Sequence, residues 1–167
     1  NTGSVTGINN VGGLIGENTG TITGGRDDNN SYYKDQIYNN GTITGRENGS
    51  NIGGLIGYNT VDNTDPDNIK TGSLTAGYNT GTIKAENSSN VGGIVGNNAG
   101  TVDQVFNTVM TGVDDKGNTV YGTITGKDNV GGLVGTNSGT LSNAYNTTAV
   151  KAENGVAGNA VGVNVEV

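Results

Sequence analysis

One short block governs what this chain can fold into. It recurs without gaps as VGGLIG at 11–16, IGGLIG at 52–57, VGGIVG at 91–96 and VGGLVG at 130–135, with a degenerate VAGNAVG from Val156. Such self-similarity marks a repeat architecture, in which each unit buries its apolar residues only against its neighbours. The flanks repeat as well. Gly20-Thr21-Ile22, Gly100-Thr101-Val102 and Gly139-Thr140-Leu141 follow the block at one offset, with Gly72-Ser73-Leu74 displaced in the second repeat. An aromatic comes next (Tyr38, Tyr78, Phe106, Tyr145), then a third block at 41–44, 81–84 and 122–125, looser at 148–151. Ser4-Val5-Thr6 is the same block from a truncated upstream unit. The unit is about 26–29 residues, with insertions near 25–36, 61–71 and 109–119. Extra residues at different points, with the frame restored afterwards, mark loops on the outside of a coil.

Each block is a short β-compatible stretch bounded by Gly and Asn. In Thr-Ile-Thr the central side chain points one way and the threonines the other. A lone aliphatic cannot make a core within its own strand, but it can against the same position one coil away. This predicts columns: Val5, Ile43, Ile83, Ile124, Val150; Val11, Ile52, Val91, Val130, Val156; Ile22, Leu74, Val102, Leu141; and Tyr38, Tyr78, Phe106, Tyr145. The expected fold is all-β: a right-handed parallel β-helix (β-solenoid) with three short strands per coil. Residues 1–167 would form one segment of about five coils with loop insertions. Asn18, Asn59, Asn98 and Asn137 recur at one offset and suit turns and ladders. In VGGLIG the adjacent Leu14 and Ile15 break strict alternation, and the pattern leaves open which of them points inward.

Composition narrows the partners. A net charge of −7 argues against nucleic acid and anionic membrane surfaces, both of which require clustered Lys and Arg. No apolar run reaches the length of a membrane span. The opening residues read as the middle of a repeat, so the chain is expected to be a segment of a longer protein.

The run from Val130 to Asn146, VGGLVGTNSGTLSNAYN, resembles the GLUG motif, and four copies in register cover most of the chain outside the insertions. That repeat occurs in large secreted bacterial proteins, among them filamentous-haemagglutinin-like and autotransporter-type adhesins. The resemblance implies a β-helical, non-enzymatic segment of a secreted or cell-surface bacterial protein. The last copy departs from the pattern, with Asn159 and Ala160 where Leu and Ile are expected.

Catalytic machinery is not expected. The chain has no His and no Cys, so triads and thiol nucleophiles are excluded. Its acids concentrate in the insertions. Asp62, Asp65 and Asp67 could offer oxygens to Ca²⁺, but they lack EF-hand and β-roll spacing and read as a solvated turn. No cofactor is implied. Tyr32, Tyr33 and Lys34 place adjacent aromatics outside the repeat frame and form a candidate recognition loop. Thr21/Thr23, Thr42/Thr44 and Thr123/Thr125 would project outward as a candidate threonine array of the kind an ice-binding face uses. N-x-S/T sequons at Asn29, Asn40, Asn48, Asn87 and Asn146 are what so Asn- and Thr-rich a chain supplies by chance. The leading expectation is a structural and adhesive repeat module that contacts a host-cell, matrix or glycan ligand through its insertions. The alternatives are a fibre subunit joined to neighbouring repeats through open coil ends, and an ice-binding protein.

Overall fold

The structure, a computed structural model, describes residues 1–25 and 37–166. It is a parallel β-helix, and no helix occurs among the described residues. Each coil passes through three sheets. Sheet A holds Ser4–Gly12, Thr42–Gly53, Ile83–Gly92, Thr123–Gly131 and Ala149–Ala152, the last followed by Ala157–Gly158. Sheet B stacks Ile15–Asn18, Ile56–Asn59, Val95–Asn98, Val134–Asn137 and Val161–Asn164. Sheet C stacks Thr21–Thr23 and Ile37–Asn39 on Ser73–Asn79, then Thr101–Asn107 and Thr140–Asn146.

The register places equivalent residues side by side. Val5 pairs with Ile43, Ile43 with Ile83, and Ile124 with Val150. Val11, Ile52, Val91 and Val130 form a second file, and Ile22, Leu74, Val102 and Leu141 a third. Inner members such as Ile43, Ile52, Leu74 and Ile124 are fully buried, each contributing about 1.5–3 kcal/mol. Two apolar clusters result, one behind sheet A and one behind sheets B and C.

The corner after the double glycine explains why alternation fails in GGLIG. A single carbonyl accepts two successive amides: Leu14 and Ile15 both donate to Leu55 O, Leu55 and Ile56 to Ile94 O, and Ile94 and Val95 to Leu133 O. The backbone turns between the two apolar residues, so both enter the core; Leu55, Ile56, Ile94 and Val95 are all buried.

Three asparagine ladders close the other bends. Asn18, Asn59, Asn98, Asn137 and Asn164 form one, each Nδ2 donating to the next Oδ1 at 2.8–2.9 Å. A second runs Asn1, Asn39, Asn79, Asn107 and Asn146 at 2.8 Å per step. Both donate toward the later coils. The third, Asn129 to Asn90 to Asn51 to Asn10, donates the other way, and all four of its members hold positive φ. Only an amide can accept from one rung, donate to the next, and still donate to the carbonyl that closes its own turn, as Asn39 does to Gly41 O.

Four sequence expectations are corrected. The aromatic file exists, with Tyr38, Tyr78, Phe106 and Tyr145 in register, but it is not core: Tyr38 is 39% exposed and Tyr145 57%. Tyr78 lies four residues after the inward Leu74, which strict alternation would also turn inward. One left-handed residue per strand (Ala76, Gln104, Asn143) slips the phase. Gly77 and Val105 therefore face inward beside Ile37 and Ala144, and the rings face out. Val156 is exposed, and Ala157 takes its place beside Val130, because the last copy carries one extra residue. Asn159 thus stands at the position of Gly132, and Ala160 at that of Leu133. Val109, assigned to the third insertion, is fully buried in the core.

A Cβ in the left-handed region costs about 1–2 kcal/mol. Asn tolerates that region and already occupies the equivalent site at 143. Gln104→Asn, at φ 53°, is therefore expected to raise stability by about 0.5–1 kcal/mol, read as a higher urea midpoint.

Candidate functional site

The features outside the coil frame gather around sheet C. The second insertion is an antiparallel hairpin, Val61–Asp62 against Lys70–Thr71, leaving the coil between sheets B and C. The third pairs Met110–Val113 with Thr119–Tyr121 and leaves between sheets C and A. The first interrupts sheet C itself; Tyr32, Tyr33 and Lys34 lie in it, outside the described residues.

The third hairpin has a well-organised tip. Asp114 Oδ1 accepts the amides of Lys116 and Asn118 at 2.9 and 2.8 Å, and Oδ2 accepts Asn118 Nδ2 at 3.0 Å. Gly117, at φ 82°, supplies the left-handed turn residue. The Asn118 side chain, then the backbone amides, hold the Asp114 carboxyl below its ordinary range. Met110, Val113, Val120 and Tyr121 are all exposed on this hairpin. Sequence reading passed over them, although apolar residues outside the repeat frame are the same signal that drew attention to Tyr32.

Asp62, Asp65 and Asp67 do not converge on a cation. Asp62 Oδ1 accepts both the amide and the hydroxyl of Thr64, at 3.1 and 2.7 Å, and these bonds lower its pKa. Asp65 Oδ1 accepts the Asp67 amide at 3.1 Å. Among the described residues no cluster of three acidic side chains could hold a metal ion.

The outward surface of sheet C carries the aromatic ladder. Ring centroids lie 5.3, 4.8 and 5.2 Å apart along Tyr38, Tyr78, Phe106 and Tyr145, at interplanar angles of 10°, 1° and 4°. Inner ring faces are taken by neighbouring rings, so the ladder presents edges and phenol oxygens. It acts first as a seam between coils, each pair adding about 0.5–1.5 kcal/mol beyond burial. Burial, then the neighbouring Tyr38 phenol, pushes the Tyr78 pKa up.

Beside the ladder lies Asp103, which sequence reading did not single out. The available signal was a carboxylate in a file of hydroxyls, Thr75 and Ser142, with no basic partner among the described residues. Its Oδ1 accepts Ser142 Oγ at 2.7 Å and Asn143 Nδ2 at 2.8 Å from the next coil, and Oδ2 accepts Gln104 Nε2 at 3.1 Å. The Ser142 bond first, then that of Asn143, lowers its pKa. A lowered folded-state pKa contributes stability that is present above the unfolded value of 3.8 and is lost as pH falls through the folded pKa. Asp103→Asn is therefore expected to destabilise the protein at neutral pH and to lose less on acidification than wild type, measured by thermal melts at both pH values.

The threonine pairs do not share one face. Thr21 and Thr23 lie on sheet C beside Ser73 and Thr75, whereas Thr42/Thr44 and Thr123/Thr125 lie on sheet A with the Thr82–Lys84 rung between them.

Comparison of the chain with protein-family models, curated proteins and solved structures finds no match.

Proposed function

We propose that this chain is a non-enzymatic structural and adhesive repeat module of a secreted bacterial protein, the coil serving as a rigid spacer and the insertions as contact surfaces. The observation that carries this reading is the hairpin at 110–121. It exposes Met110, Val113, Val120 and Tyr121 on a tip ordered by Asp114, while the columns beneath it run on unbroken. Ordered loops on a rigid scaffold are where recognition concentrates. The resemblance to GLUG repeats adds the secreted bacterial setting. The test is adhesion of protein-coated beads to immobilised glycans and matrix proteins, with residues 110–121 replaced by a tight turn. Loss of adhesion at an unchanged Tm is the expected result; full adhesion by the replaced variant contradicts it.

A second reading is assembly with neighbouring repeats or subunits. Leu14 is 41% exposed where its equivalents Leu55, Ile94 and Leu133 are buried, so it offers an apolar contact to a further coil. Leu14→Ser should then weaken self-association in sedimentation.

A further inference from the structure

We propose that the outward face of sheet A is an ice-binding surface, a function independent of the adhesive reading. The register brings together hydroxyls that are scattered in the sequence. Ser4, Thr42, Thr82 and Thr123 form one file: Ser4 pairs with Thr42, and Thr82 precedes the Ile83 that pairs with Ile43 and gives its carbonyl to the Ile43 amide. Thr6, Thr44 and Thr125 form the second file, with Lys84 between Thr44 and Thr125; the rung beyond Thr123 and Thr125 is Ala149 and Lys151, where the hydroxyls end. Rungs repeat at about 4.8 Å, and the two files are about 6.7 Å apart along each strand. The grid is therefore two-dimensional and is fixed by the backbone rather than by flexible side chains. The β-branched threonines restrict χ1, which limits the orientations each hydroxyl and methyl can take.

Two observations point to ordered water as the occupant. None of these hydroxyls is engaged by a protein partner among the described residues, whereas Ser142, Thr64 and Thr136 spend theirs on neighbouring side chains. Neither file contains a carboxylate, although the chain carries 15 Asp and Glu. The first two insertions leave through sheet C and the B–C corner, away from sheet A, whereas the third leaves at the C–A corner and borders the first file beside Thr123. Outside the two lysines of the second file, the hydroxyl–methyl grid is regular and uncharged. Such a grid holds waters at fixed spacing, and the oxygen rows of an ice surface repeat at comparable distances. Lys84 is the flaw in the grid, a strongly hydrated point charge in the middle of the second file.

Ice-crystal shaping and thermal hysteresis of the full chain test the proposal. Faceted crystals are expected from wild type, with at least a doubling of hysteresis in Lys84→Thr. Thr123→Lys should abolish shaping at an unchanged circular dichroism spectrum, and Thr21→Lys on sheet C should leave it intact. Round, unshaped crystals with both wild type and Lys84→Thr would overturn the proposal, as would shaping that survives Thr123→Lys.

Discussion

Gly93→Ala is expected to cost about 3–5 kcal/mol, at the high end for a single substitution. A Cβ at this position would sit 2.1 Å from Gly132 O, a backbone atom of the next coil, and 2.5 Å from Asn107 Cγ in the second ladder. Neither neighbour can yield cheaply. Moving Gly132 O spreads the coil spacing, and moving Asn107 breaks bonds to Asn79 and Asn146. The glycine is required by close backbone approach, since Gly93 is not among the residues at positive φ. Gly20→Ala is the control: its Cβ would meet only Asn18 Oδ1, at 3.8 Å, and the cost should stay below about 1 kcal/mol. Urea midpoints of the two variants check both values.

Asn98→Asp is expected to cost about 3 kcal/mol or more at neutral pH. Asn98 is fully buried, and its amide donates to Asn137 Oδ1 at 2.8 Å, Thr140 O at 3.2 Å and Gly100 O at 3.3 Å. A carboxylate keeps the acceptor role toward Asn59 but turns each of those three donations into a contact between oxygens. Burial would favour the protonated acid, so the loss should shrink as pH is lowered; the carboxyl pKa is pushed up here, whereas that of Asp103 is lowered. Asn97→Asp, one residue away and outward, should change stability by less than about 0.5 kcal/mol. Chemical denaturation at neutral and acidic pH separates the cases.

Much of this architecture was legible because its blocks are ungapped. Val11, Ile52, Val91 and Val130 each sit at the first position of a six-residue motif, so alignment alone fixes their register. The aromatic file was found by the same alignment but put on the wrong side, because its direction depends on left-handed residues as unlike as Ala76, Gln104 and Asn143. No residue type announces that phase slip. The last copy misled for a related reason: with one residue added, Val156 mimics the motif start while Ala157 takes the column position. The second asparagine ladder escaped notice because insertions vary its spacing, although Asn39, Asn79, Asn107 and Asn146 each follow the aromatic directly. Of the surface features, Asp103 and the exposed hairpin residues emerged only from the coordinates. A file of hydroxyls gains meaning only once the neighbouring coil is in place.

Methyl–methyl nuclear Overhauser contacts in the folded protein test the stacking most directly. The structure requires an unbroken chain of contacts from Val11 to Ile52 to Val91 to Val130, each between residues about 4.8 Å apart on adjacent strands. A well-dispersed, folded spectrum in which Ile52 contacts neither Val11 nor Val91 would contradict the stacked-coil architecture.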